Sequence, residues 1–191
     1  MERKRGFEIA KGFENSNINL PVRSTKNSAG YDVEAAEDCI IPAFKPGQKP
    51  TLVKTGIKAY MESDEVLILA NRSSNPGKKG LILANSIGVV DSDYYENPDN
   101  DGHIMYAFFN FKAEDVEIKK GERIGQAIFQ KYLVTDNDIA QGERTGGFGS
   151  TNKQLWKFYV KYTKNSFDLS PKLWYNKKGR ERNNRLKKEW L

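Results

Sequence analysis

The run Gly146-Gly147-Phe148-Gly149-Ser150-Thr151 sets three glycines around one aromatic ring and follows them with two hydroxyls. Glycine lets backbone N–H groups turn onto an anion, and a ring standing among glycines can lie flat on a planar base. That combination suits the holding of a nucleotide triphosphate, although glycine clusters on their own are commonly plain turns. A second segment, Gly88-Val89-Val90-Asp91-Ser92-Asp93-Tyr94, supplies what a turn does not need. Hydrolysing a triphosphate requires neutralised charge, an oriented water and a base, with no covalent nucleophile from the protein. Asp91 ends the apolar run 87–90, where a rigid strand would fix its carboxylate and dry one side of it. Taken alone, Asp91 reads equally well as a turn residue, and Asp93 reads as structural.

These residues need a scaffold, and the chain offers strands. Residues 52–60, 66–70, 80–90, 104–111 and 124–134 are β-rich runs punctuated by Ser74-Asn75-Pro76-Gly77 and Asn97-Pro98-Asp99-Asn100-Asp101-Gly102. No sustained 3.6-residue periodicity interrupts them, so the body is expected to be all-β, a sandwich, jelly roll or barrel. Residues 135–151 are polar and glycine-rich and read as a mobile arm. Residues 155–162 then read as a strand, and 179–191 as a basic segment, helical at its end.

Composition narrows the chemistry. The 191 residues, 38% of them hydrophobic, suit one domain with an appendage. One cysteine, Cys39, excludes an internal disulfide framework and a cysteine zinc cluster, and it reads as a small core residue. One histidine, His103, removes most catalytic triads and reads as a strand-edge residue. The charged start Met1-Glu2-Arg3-Lys4-Arg5 is followed by no long apolar stretch, and no run approaches a membrane span. The expectation is a soluble cytoplasmic protein with no membrane partner. Residues 152–191 carry 12 Lys and Arg against 3 Asp and Glu, whereas residues 1–151 carry 19 against 22, so a mildly acidic body ends in a basic tail.

Five segments line up in order: Ala29-Gly30-Tyr31-Asp32-Val33, Arg72-Ser73-Ser74, residues 85–94, Gly121-Glu122-Arg123-Ile124-Gly125-Gln126, and residues 144–151. Their order and content resemble the trimeric dUTPase family over about residues 18–152. The resemblance implies a jelly-roll-like β-barrel that assembles as a homotrimer with shared sites. It implies hydrolysis of dUTP to dUMP and pyrophosphate with Mg²⁺, which limits uracil in DNA and supplies the dTTP precursor. Asp91 would then be the general base that activates water, and Tyr94 would pack on the deoxyribose and leave no room for a ribose hydroxyl. Asn85 would face the uracil edge, with Val89, Val90 and the backbone near Met105 completing the base-mimicking hairpin. Arg72, Ser73, Ser74 and Gln126 would bind phosphate oxygens, Arg144 the γ-phosphate, and Asp32 the waters of a phosphate-bound Mg²⁺. Phe148 would stack on uracil while Gly146, Gly147, Gly149, Ser150 and Thr151 wrap the phosphates and exclude water. Glu122 and Arg123 read as a structural ion pair.

Three departures from the family pattern stand out. Asn71 replaces a proline and should loosen the turn at Arg72. An insertion spans residues 96–101, and Arg144 stands four residues before Phe148 where five is usual. The expected division is a β-barrel over 1–134, a substrate-closing arm over 135–152 and a basic aromatic extension over 153–191. In that extension Trp156, Trp174, Tyr175 and Trp190 interleave with Lys and Arg, which suits either a nucleic-acid surface or a solvated appendage. Two other activities stay open: a dUTPase-fold regulatory protein whose insertion or tail binds a nucleic-acid or protein partner, and a dCTP deaminase, which shares the fold but lacks the glycine-rich arm.

Overall fold

The computed structural model describes residues 3–144 and 146. Among these residues twelve strands run in the order β1 (Gly6–Ile9), β2 (Val22–Arg23), β3 (Tyr31–Glu34), β4 (Cys39–Ile41), β5 (Thr51–Lys54), β6 (Ile57–Tyr60), β7 (Glu65–Asn71), β8 (Leu81–Leu83), β9 (Gly88–Asp91), β10 (Met105–Asn110), β11 (Val116–Ile118) and β12 (Arg123–Lys131). A five-stranded sheet, β2-β3-β12-β7-β9, carries most of the chemistry-bearing positions. Smaller sheets are β5-β10-β8, β1-β6 and β11-β4, and all the strand pairs are antiparallel. Two single helical turns, Asn75–Lys79 and Ser92–Tyr94, are the described exceptions to an all-β, jelly-roll-like body. Its sheets stay open among the described residues instead of closing into a barrel: the edges of the five-stranded sheet are the two-residue β2 and the four-residue β9.

Period-two alternation builds the core. Along β10, Tyr106, Phe108 and Asn110 point inward while Met105, Ala107 and Phe109 lie partly exposed. Phe108, Ile41, Leu67, Leu81 and Ile118 are essentially sealed, each worth about 1.5–3 kcal/mol on burial. β12 pairs β7 residue for residue from Gly125↔Asn71 to Lys131↔Glu65, and it pairs β3 on its other edge with a register shift between Arg123 and Gly125. A Cβ on Gly125 would fall 2.0 Å from the Tyr106 ring, so that strand approaches the core only because residue 125 has no side chain.

The strand runs seen in the sequence are shorter and more broken in the structure. The run 52–60 is two strands, because Thr55 spends its hydroxyl on the Ile104 carbonyl (2.5 Å) and Gly56 turns at φ +69°. The run 80–90 is interrupted by a turn at 84–87 with Ser86 at φ +62°. Strands β1 to β4 and β11 escaped sequence reading because two to four residues are too few to display alternation. Cys39 is half-buried against the core. Among the described residues no helix is long and apolar enough to cross a membrane.

Candidate active site

Asp91 is the last residue of β9, opposite Val66 of β7. Alternation turns Gly88 and Val90 inward and leaves Val89 and Asp91 outward. β9 lies so close to β7 that a Cβ on Gly88 would meet Leu69 at 2.9 Å. Beside it opens a cavity of about 200 Å³ lined by Asn85, Val89, Val90, Asp91, Tyr94, Met105 and Arg144, together with Leu69, Gly88 and Ile104. Seven residues proposed from sequence for base, sugar, water activation and phosphate thus share one concavity. Arg144 reaches back over it. Its Nη2 donates to Asp91 Oδ2 and its Nε to Asp93 Oδ1 (2.6 Å), with the guanidinium 5.8 Å from the centre of the Tyr94 ring. Arg144 is mostly covered, while the two carboxylates remain about half exposed (53% and 54%) and open to water. Asp93, read as structural, is therefore the second carboxylate of this clamp.

Tyr94 closes the 3₁₀ turn Ser92–Tyr94 and is buried. Burial raises its hydroxyl pKa, so it stays a neutral donor and acceptor. The hydroxyl donates to the His103 carbonyl (3.1 Å) and accepts from Asn100 Nδ2 (2.7 Å). The segment 96–101 is well organised. Lys58, buried, donates to Glu96 (3.0 Å) and Asp101 (3.2 Å). Burial alone would lower the Lys58 pKa, but these two carboxylates outweigh it and keep the ammonium charged. His103 accepts the Gly56 N–H at Nε2 (3.0 Å), and burial, helped by nearby Lys54, pushes its pKa down to about 4. The imidazole is therefore a neutral structural acceptor instead of a strand-edge residue.

A second cluster forms on β3 and β12. Asp32 is buried, with Oδ2 accepting from Ser24 (2.6 Å) and Arg123 (3.2 Å) and Oδ1 from Gln126 (3.3 Å). Burial opposes its charge, but the Ser24 and Gln126 hydrogen bonds and the Arg123 and Arg72 charges hold the carboxyl below its ordinary range. Gln126 can lie over β3 because Gly30 has no Cβ, which would otherwise sit 3.1 Å from its amide. The expected Glu122–Arg123 pair is not formed: on a twisted strand end the two side chains diverge, Arg123 to Asp32 and Glu122 to Lys79. Asp32 and Arg123 line a separate cavity of about 410 Å³ that shares no residue with the first.

Arg72 lies just past β7, half-buried, with Nη1 on the Arg123 carbonyl (3.2 Å), and Ser73 and Ser74 lead into the helical turn Asn75–Lys79. Asn71 does not loosen this turn. Its amide donates to the Leu81 carbonyl (2.9 Å) and its Oδ1 accepts from Asn75, whose Nδ2 also reaches the Ile124 carbonyl (2.8 Å). Side-chain hydrogen bonds replace the stiffness a proline would bring. Gly146 is buried against Asp99, where a Cβ would fall 2.0 Å from Oδ2. Gly147, Phe148, Gly149, Ser150, Thr151 and the tail 153–191 lie outside the described residues. Asn97, Asn100 and His103 were missed as site-supporting residues; the only signal in the sequence was an Asn-rich insertion directly after Tyr94.

Comparison with known proteins gives a consistent picture. The dUTPase family model matches residues 16–152. The deoxyuridine 5'-triphosphate nucleotidohydrolase of Lactococcus lactis subsp. lactis is 55% identical over 149 residues, covering 77% of this chain and 97% of the relative. The crystal structure of the dUTPase from Streptococcus mutans superposes with a TM-score of 0.64 at 46% identity, covering 69% of this chain and 99% of that one. A dUTPase from phage phi11 of S. aureus, described with a structural Mg(II) ion, shares the fold at 17% identity, with a TM-score of 0.56 over 74% of this chain and 98% of that one.

Proposed function

The chain belongs to the dUTPase family, and from that membership we propose how its residues hydrolyse dUTP to dUMP and pyrophosphate. The observation that carries the reading is Asp91: a water-accessible carboxylate on a rigid strand end, at the mouth of a cavity whose walls also present Asn85, Tyr94 and Arg144. Asp91 takes a proton from a water that attacks the α-phosphorus in line. The new P–O bond forms as the bond to the bridging oxygen breaks, and pyrophosphate leaves with the electron pair. Asn85 and the main chain at Val89, Val90 and Met105 read the uracil edge, and the Tyr94 ring excludes a 2′-hydroxyl. Arg144 moves from Asp91 and Asp93 to the γ-phosphate, whose greater charge competes for the guanidinium.

Arg72, Ser73, Ser74 and Gln126 bind phosphate oxygens as charge develops on them. Asp32 fits Mg²⁺ through water only: Ser24 and Arg123 occupy Oδ2, and the single long contact from Gln126 leaves Oδ1 an acceptor position for a metal-bound water. When bound, Mg²⁺ neutralises phosphate charge and orients the leaving group. Phe148 caps the base, and Gly146, Gly147, Gly149, Ser150 and Thr151 close on the phosphates.

The site is built from more than one copy in a homotrimer. Asp32 on β3 and Asp91 on β9 are three strand spacings apart, about 14 Å, and opposite positions four residues apart on β7, about 13 Å, which puts them roughly 20 Å from each other. An α-phosphorus and a phosphate-bound cation lie too close together to span that gap, which supports a site shared between copies, with threefold packing setting one copy's Asp32 cluster against another's Asp91 cavity. Pyrophosphate release from a panel of nucleoside triphosphates, with and without EDTA, tests the reading. Metal-dependent turnover confined to dUTP is expected; release of ammonia from dCTP, or no turnover of dUTP, overturns it.

A further inference from the structure

Tyr94 can reject a ribose only if its ring cannot retreat, since a shift of about 1 Å would make room for a hydroxyl. The segment that follows holds the ring at both ends. At the backbone end, Asn97 donates its Nδ2 (2.9 Å) and its own N–H (3.3 Å) to the Tyr94 carbonyl. At the hydroxyl end, Asn100 Nδ2 donates to the phenol oxygen at 2.7 Å. The two amides are joined to each other, Asn97 Nδ2 to Asn100 Oδ1 at 2.8 Å, and that same Oδ1 accepts the Gly102 N–H at 3.2 Å. Asn97 Oδ1 in turn accepts the N–H groups of Asp99 (3.1 Å) and Asn100 (3.3 Å).

The frame around these amides is stiff. Glu96 and Asp101 both adopt left-handed φ (+53° and +59°) and are both tied to the buried Lys58 ammonium. Gly102, at φ +77°, lets its backbone come so close that a Cβ would lie 2.8 Å from the Tyr94 carbonyl oxygen. Left-handed non-glycine residues persist only where their surroundings over-determine them, and a part-buried network of mutually hydrogen-bonded amides does that. Among the described residues none of these hydrogen bonds is made to the Asp91 carboxylate or to a phosphate-binding side chain, although Asp99 of the same segment packs against Gly146.

We propose that Asn100, braced by Asn97, is a positioning residue that locks the Tyr94 ring and thereby sets the discrimination between deoxyribo- and ribonucleoside triphosphates. The proposal rests on the reading of Tyr94 as the sugar-excluding side chain. Its test compares kcat and KM for dUTP and UTP, with Tm alongside, in Asn100→Ala, Tyr94→Phe, their double variant and Tyr94→Ala. In Asn100→Ala the dUTP:UTP ratio of kcat/KM should fall about tenfold, mostly through a lower KM for UTP, with kcat on dUTP within about threefold of the parent. Tyr94→Phe, which leaves the loop intact, should relax the ratio similarly, and in that background Asn100→Ala should change it no further.

A lowered Tm with an unchanged ratio in Asn100→Ala, or an equal drop in the phenylalanine background, overturns the lock. Should Asn100→Ala fail to fold, an unchanged ratio in Tyr94→Phe overturns it by itself. Tyr94→Ala separates the two levels. Retained discrimination there sinks the sugar-excluding role and the lock with it, whereas lost discrimination there with full discrimination in both Asn100→Ala and Tyr94→Phe sinks the lock alone.

Discussion

Asp91 and Asp32 are both aspartates on the same sheet, yet their surroundings suit them to different work. Asp32 is nearly sealed, and its anion is held by Ser24, Gln126 and two arginines, which makes it a poor proton acceptor and suits it to the proposed role of holding cation-bound water. Asp91 keeps half its surface open beside the cavity, as a base that must reach water requires. Asp91→Asn preserves shape and removes the base, so turnover should fall ~10²- to 10⁴-fold with nucleotide binding largely kept. Steady-state rates and titration with a non-hydrolysable analogue check this, and near-parental turnover would reject Asp91. Gly125→Ala makes a different demand: a methyl group 2.0 Å from the Tyr106 ring must displace it, costing about 1–3 kcal/mol, which a denaturant midpoint would register. The placement of Asp91 at a strand end beside the cavity was legible in the sequence because an apolar run ends on it within an ordered set of five segments. The Arg144 clamp was not, because pairing Asp93 with a residue 51 positions away depends on where β9 ends, which no local pattern reports.

At the scale of elements, burial patterns explain both what was read and what was missed. β7, β10 and β12 are long enough for alternation or continuous burial to stand out, and the sequence placed them within a few residues. The two-residue β2 is set by its partner β3, and the turn at 84–87 by the passage from β8, paired with β10, to β9, paired with β7; such tertiary pairing leaves little trace in local composition. The β10 approach also contains the chain's one histidine, which gives stability a defined pH dependence. Burial holds His103 neutral down to about pH 4, whereas the unfolded chain takes up that proton from about 6.5 downward. More protons are bound by the unfolded state between those values, so the contribution is fully present above pH 6.5 and is lost as pH falls. Carboxylates with ordinary values of 3.8 and 4.5 add their own loss mainly at lower pH. Tm should therefore drop between pH 7 and pH 5 in the parent, and His103→Gln, which keeps an acceptor for Gly56, should flatten that difference. An equal drop in both proteins would assign the pH dependence to other groups.

At the scale of the whole molecule, one chain presents two separate polar clusters, the half-sites of the proposed assembly, and an apolar face. Leu52, Ile82, Phe44 and Phe111 remain exposed on or beside the β5-β10-β8 sheet, with the Phe44 and Phe111 rings stacked 5.2 Å apart, a patch that favours self-association. The half-sites allow a sharper test than molecular size. An Asp91→Asn chain keeps a sound Asp32–Arg72 cluster, and an Arg72→Ala chain keeps a sound Asp91 cavity. Each homotrimer should be nearly inactive. Unfolding the two together and refolding them mixes subunits at random, so if each site takes Asp91 from one chain and Arg72 from the next, about a quarter of the sites are whole and a like fraction of parental turnover returns. Simple mixing of the folded variants, without subunit exchange, should return none. If the refolded mixture stays as inactive as its components while remaining trimeric by size, Asp91 and Arg72 serve the same site from one chain, and the roughly 20 Å separation across the sheet would have to close within a single copy.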